Sequence, residues 1–124
     1  MNLILEDYKK SLQKLEEILI FKKDEVVRDS AIKRFELCFD LCWKSIKAYA
    51  KKEGVECQSP RSCFKTAFQL NVINHDVLWL QMIDDRNKSV HLYKEESAEE
   101  IYLHLAEYKN LFKKLLEKLS GENF

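Results

Sequence analysis

The sequence predicts an all-α protein, an antiparallel bundle of four-helix type built from about five helices. Three observations point there. Only 2 glycines and 1 proline occur in 124 residues, too few for the turns that an all-β fold needs roughly every 8 to 12 positions. Apolar residues make up 46% and aromatics 11%, enough to bury a core and too much for a disordered chain. The apolar side chains also recur at alternating steps of three and four, the period of a helix with one buried face. A chain of this length suits a single domain over residues 1–124,.

Leu5, Tyr8, Leu12, Leu15 and Leu19 keep that step, with Lys9, Lys10, Lys14, Glu16 and Glu17 between them. They predict a first helix over about 4–21. After the charged break 22–25, Ile32, Phe35, Phe39, Cys42, Trp43, Ile46 and Tyr49 repeat the pattern up to Gly54, a helix stop,. The second helix, about 26–53, is then the longest. Ser59 followed by Pro60 offers an N-cap and a first-turn proline for a short third helix carrying Phe64, Ala67, Phe68 and Leu70 and ending near Asn71,. Asp76 can cap a fourth helix through Leu78, Trp79, Met82 and Ile83 into RNKSVH,. Ser97 with Glu100 reads as a capping box, and Ile101, Leu105, Tyr108, Phe112, Leu115 and Leu119 extend a fifth helix over about 98–119 before a GENF tail expected to fray,.

The 21 basic residues balance the 21 acidic ones, so no global positive field draws the chain onto nucleic acid or anionic membrane, and RNA contact would have to be local. The opening MNLILEDYKK turns charged after three apolar residues, too short for a secretory signal and far short of a membrane span, which predicts a cytoplasmic protein with no membrane partner. None of Cys38, Cys42, Cys57 and Cys63 forms a C-x-x-C pair, and all four are expected to be buried free thiols. His75, His91 and His104 are scattered without neighbours at ligand spacing, so no metal site is expected. With no glycine-rich loop to cradle a nucleotide, no cofactor is expected and the chain does not read as a nucleotidyltransferase or kinase itself. Lys109, Lys113, Lys114 and Lys118 read as the solvated face of the fifth helix.

The fourth helix holds the anomaly. At 100° per residue, Arg86, Asn87 and Val90 continue the stripe begun by Trp79 and Ile83, and His91 lies one turn beyond Asn87,. Leucine is the residue expected at such places, because a buried polar group costs free energy unless it is paired. One reading is structural, with Arg86 paired to a carboxylate such as Asp84, Asp85 or Asp40, and Asn87 and His91 capping helix ends or bridging subunits. The other is catalytic: a histidine takes the proton of an RNA 2′-hydroxyl while the arginine holds the phosphate, which suffices for metal-independent cleavage to a cyclic phosphate. On an ideal helix Arg86 and His91 point about 140° apart, so they converge only if the helix bends or a second subunit contributes.

Three stretches, RDSAIKRFELCFDLCWKSIKAY, SPRSCFKTAFQLNVI and WLQMIDDRNKSVHLYKEESAEEIY, resemble in order and spacing the nucleotidyltransferase substrate-binding proteins, small helical bundles of the HEPN superfamily encoded beside a minimal nucleotidyltransferase. The resemblance covers about residues 26–119. It implies a HEPN-like bundle that forms a homodimer, with the R-x4-6-H motif on Arg86 and His91 and Asn87 as the polar residue after the arginine. Asp40 stands where relatives usually carry glutamate. The extended motif R-x4-H-x-Y falls on His91, Leu92 and Tyr93. In type VII toxin–antitoxin pairs such proteins are RNA-cleaving toxins, and the partner nucleotidyltransferase neutralises them by transferring AMP to the tyrosine, here Tyr93. The alternative that the resemblance implies is a non-catalytic substrate-binding subunit of a nucleotidyltransferase complex.

Overall fold

The computed structural model describes residues 2–91, 93–122 and 124. Its helices are α1 (Leu3–Leu19), α2 (Glu25–Lys52), α3 (Pro60–Gln69), α4 (Val77–Lys88) and α5 (Glu95–Ser120), with a 3₁₀ turn at Ser89–His91 between the last two. Four of the five helices start on a side-chain cap. Asn2 accepts from the Ile4 amide at 2.9 Å, Asp24 from Val27 at 2.7 Å and Asp76 from Leu78 at 2.9 Å, while Ser59 and Ser62 bond reciprocally ahead of Pro60. Each cap satisfies an amide that the helix itself leaves without a partner. Gly54, at φ 81°, ends α2 in the left-handed conformation that a side chain would strain,.

Tertiary contacts give the helix directions. Arg28 meets Glu95 and Glu99, the rings of Phe35 and Tyr108 stack at 5.5 Å and Tyr49 meets Phe124, so α2 and α5 run the same way. Along α1, Tyr8 lies against Cys42, Ser11 against Cys38 and the Lys14 carbonyl against Arg34, while Arg86 reaches Asp40 and Ser89 reaches Glu36, so α1 and α4 run the opposite way. This is the up-and-down order of an antiparallel bundle. α3 sits at one end, with Phe64 between Phe39 and Trp79. Tyr8, Phe35, Tyr108 and Phe112 are fully buried, and the Tyr8 hydroxyl donates to the Phe112 carbonyl at 2.5 Å, which satisfies a polar group that burial would otherwise penalise.

Three expectations need correcting. The fifth helix begins at Glu95, and its N-cap is Lys94, which makes no side-chain cap bond; Ser97 lies inside the first turn. The reason is tertiary: Arg28 on α2 holds Glu95 at 2.5 Å and Glu99 at 2.9 Å, drawing residues 95–97 into the helix. The fourth helix does run into RNKSVH, ending at Lys88 and tightening there into the 3₁₀ turn. Cys57 and Cys63, expected as free thiols, form a disulfide with Cα atoms 5.1 Å apart, because the Ser59–Pro60 cap folds the chain back on itself; Cys38 and Cys42 remain free and buried. The tail does not splay away, since the Phe124 ring lies 5.5 Å from Tyr49; Asn123 of that tail lies outside the described residues. Among the described residues no helix is long and apolar enough to cross a membrane.

Candidate functional site

The end of α4 is built around an arginine that faces α2. Arg86 spends its donors on two carboxylates: Nε and Nη2 donate to Asp40 at 3.4 and 3.2 Å, and Nη1 donates to Glu36 at 3.1 Å. Asp40 was among the partners foreseen for it; Asp84 and Asp85 are not used. The Ser89 hydroxyl closes the cluster, donating to Glu36 at 2.5 Å and accepting from Arg86 at 3.3 Å. Glu36 stands one turn before Asp40 on α2, so the two acids share a face. Glu36 is 8% exposed, while the Asp40 side chain is 39% exposed, so one acid is buried beneath the arginine and the other lies at its rim.

The other candidates stand apart from Arg86. Asn87 is exposed and, among the described residues, makes no side-chain hydrogen bond. His91 is exposed at the end of the 3₁₀ turn. Its Nδ1 lies 3.2 Å from the Tyr93 hydroxyl, and the two rings meet edge to face at 5.7 Å. Tyr93 is 78% exposed, with the Lys94 ammonium 6.0 Å from its ring centre. Leu92, the middle residue of the extended motif, lies outside the described residues. Within one chain, then, His91 pairs with Tyr93 and Arg86 with α2.

Sequence reasoning missed Glu36 and Ser89, although Glu36 could have been found by its one-turn spacing from Asp40. It also missed a second network behind α4. Asp85 is 2% exposed and accepts from the Tyr108 hydroxyl at 2.5 Å and from His104 Nδ1 at 2.7 Å, while Gln81 donates to Tyr108 at 2.9 Å. Burial first, and then the bond to Asp85, hold the Tyr108 phenol far above its ordinary value, with the bond from Gln81 acting the other way,. His104 thus has an acidic neighbour that no sequence spacing announces. At the start of α5, Glu95, Glu99 and Asp29 raise the Arg28 guanidinium further, and Lys23 and Arg28 lower Glu99. Burial pushes the Cys38 thiol up to about 12 and Cys42 well above its usual value, so neither suits nucleophilic work. No group of three or more potential metal ligands is present among the described residues.

The family model described as nucleotidyltransferase substrate binding protein like matches residues 3–121. The chain belongs to that family. A search of curated protein sequences finds no match. Among solved structures, a Thermus thermophilus protein is 35% identical with a TM-score of 0.86, over 90% of this chain and 98% of its own. A Haemophilus influenzae structure, described as revealing the fold of a substrate binding domain of a nucleotidyltransferase, is 19% identical with a TM-score of 0.84, over 94% and 98%. A tri-AMPylated HEPN toxin of Shewanella oneidensis in complex with MNT antitoxin is 21% identical with a TM-score of 0.78, over 98% and 100%. These last two likenesses establish the fold, which is the HEPN-like helical bundle expected for this family.

Proposed function

We propose that this family member is the toxin of a type VII toxin–antitoxin pair, a metal-independent ribonuclease that works as a homodimer and is neutralised by a partner minimal nucleotidyltransferase through AMP transfer to Tyr93. The observation that carries the reading is the solvent-facing pair of His91 and Tyr93, 3.2 Å apart, directly after an arginine fixed by α2. In cleavage, His91 takes the proton of an RNA 2′-hydroxyl, whose oxygen attacks the adjacent phosphorus. The bond to the 5′-oxygen breaks, that oxygen leaves with a proton from a second imidazole, and a 2′,3′-cyclic phosphate remains. Arg86, turning from the rim acid Asp40, balances the charge gathering on the phosphate. Since Arg86 and His91 do not meet within one chain, the two copies of a dimer supply the complementary groups, with Asn87 on the exposed side available to RNA.

Neutralisation uses the same pair. The Tyr93 oxygen attacks the α-phosphorus of ATP, pyrophosphate leaves, and the phenolic proton passes to His91 Nδ1. The attached phosphate then stands beside the imidazole and competes with RNA for cationic groups. The test is expression without the partner: growth arrest relieved by His91→Ala or Arg86→Ala supports the toxin, and full toxicity of Arg86→Ala overturns it. Intact mass after incubation with partner and ATP should rise by AMP increments that Tyr93→Phe removes.

One observation favours the second reading, a non-catalytic subunit that presents substrate to the nucleotidyltransferase: the donors of Arg86 already have acceptors in Glu36, Asp40 and Ser89. In that case wild type and His91→Ala are equally harmless, and the partner transfers nucleotide only in the presence of this chain.

A further inference from the structure

At the other end of α4 from His91 lies a cleft of about 320 Å³ between α3 and α4, within the usual size range of small-ligand sites. Its floor is Phe64 and Trp79, both buried, and its lip is Phe68, Val77 and Leu80, which expose 45%, 69% and 46% of their surface. That much apolar surface facing solvent around one concavity is unusual for a surface that meets only water. At one end the rings of Phe68 and His75 stand edge to face, 5.4 Å apart. Arg61 and Lys65, one turn apart on α3 and both exposed, also line the cleft. Neither has an ion-pair or hydrogen-bond partner among the described residues, and like charges at this spacing repel mildly until an anion joins them.

The lining holds one carboxylate, Asp76, whose oxygen already accepts from the Leu78 amide. The cleft therefore joins flat apolar surface to two cations carried by α3. Along α3, Arg61 and Phe68 are seven residues apart, about 10 Å of helix rise. We propose that this cleft binds a small organic anion with a flat ring, the ring lying against Phe68 and His75 and the acid group held by Arg61 and Lys65. Concavity and separated chemistry favour such a ligand over a protein surface, which would need a broad, flatter contact. The assignment does not depend on ribonuclease chemistry or on Tyr93.

The test is calorimetry on the full chain with naphthyl phosphate, set beside naphthol (ring alone) and inorganic phosphate (anion alone). Naphthyl phosphate should bind more tightly than either half. Joint replacement Arg61→Ala and Lys65→Ala, at exposed positions that leave helical content intact, should weaken it about tenfold, as expected for charge-assisted contacts. Phe68→Ala should weaken it about fivefold, the low end for stacking on an aromatic side chain. Lys114→Ala, in the neighbouring cavity beyond Trp79, should change nothing. The proposal is overturned if naphthol binds as well as naphthyl phosphate, if the Arg61 and Lys65 replacements leave affinity unchanged, or if no probe binds. It is equally overturned if Phe68→Asp dissociates an oligomer, since the occupant is then another copy of the chain.

Discussion

Asp85 and Arg86 are consecutive residues on one helix, yet they anchor it in opposite ways. Asp85 turns toward α5 and is 2% exposed, with Tyr108 and His104 as donors. Arg86 turns toward α2, its side chain 26% exposed, with one buried and one rim acid as acceptors. Losing a partner at Asp85 leaves a buried carboxylate or the buried Tyr108 phenol unsatisfied, whereas water can reach the partly exposed Arg86 and Asp40,. The two sides of α4 therefore differ: the Asp85 side ties the helix to α5 through a buried acid, and the Arg86 side ties it to α2 through a partly exposed cation.

That contrast is most severely tested by truncating Asp85. Asp85→Ala should cost about 3 kcal/mol, read as a lower urea midpoint, because Tyr108 and His104 lose their shared acceptor. A loss as small as that of an ordinary surface change would break the comparison. Tyr108→Phe, which removes one donor and keeps the ring, should cost about 1 to 2 kcal/mol. Arg86→Ala should cost about 1 kcal/mol or less, since Glu36 keeps Ser89 and Lys33,, and on the proposed function it also abolishes growth arrest.

Alkaline pH sharpens the contrast further. The Tyr108 phenol is raised above 10.0, its ordinary value, so the unfolded chain loses this proton first. Its contribution is complete below about pH 10 and is lost as pH rises beyond it. Tyr108→Phe should therefore flatten the fall in stability measured above pH 10. Nitration of the native protein by tetranitromethane should reach the exposed Tyr93 and spare the buried Tyr108, and equal labelling would contradict that burial. The smallest effect belongs to Glu99 at the surface. Its carboxyl is lowered by Lys23 and Arg28, so its contribution is present above its ordinary range and lost as pH falls. Glu99→Gln should make acid unfolding slightly less steep, an effect that added salt removes.

The helices were legible because their buried faces repeat on a fixed period, and Ser59 and Asp76 marked two starts through chemistry that acts locally. Where a distant residue decided the outcome, sequence reading failed. The Ser97 and Glu100 pattern is a sound local cap, but Arg28, far away in sequence, moved the start of α5 to Glu95. On α4 the helical wheel was centred on Trp79 and Ile83, whereas the buried arc is centred nearer Met82, between α2 and α5; it takes in Asp85 and Ser89 and leaves Asn87 and Val90 in water. The tightening at Ser89 also breaks the 100° step on which the Val90 and His91 placements depended. Arg86 was identified as out of place, but its acids lie on a helix some fifty residues earlier, and spacing along α4 contains no record of them.

The paired attachments around His91 and Tyr93 have a consequence for recognition. On one side Ser89 is tied to Glu36, and on the other Glu95 is tied to the buried Arg28, so both flanks are moored to the same helix, α2. A flexible loop would surrender conformational freedom each time it met an enzyme or a strand of RNA. On the proposed function, the flanks at Ser89 and Glu95 are held before any encounter, so more of the contact energy remains as affinity. Loosening the distant Arg28 mooring, with Arg28→Gln, should thus raise the entropic cost of binding at residues it never touches.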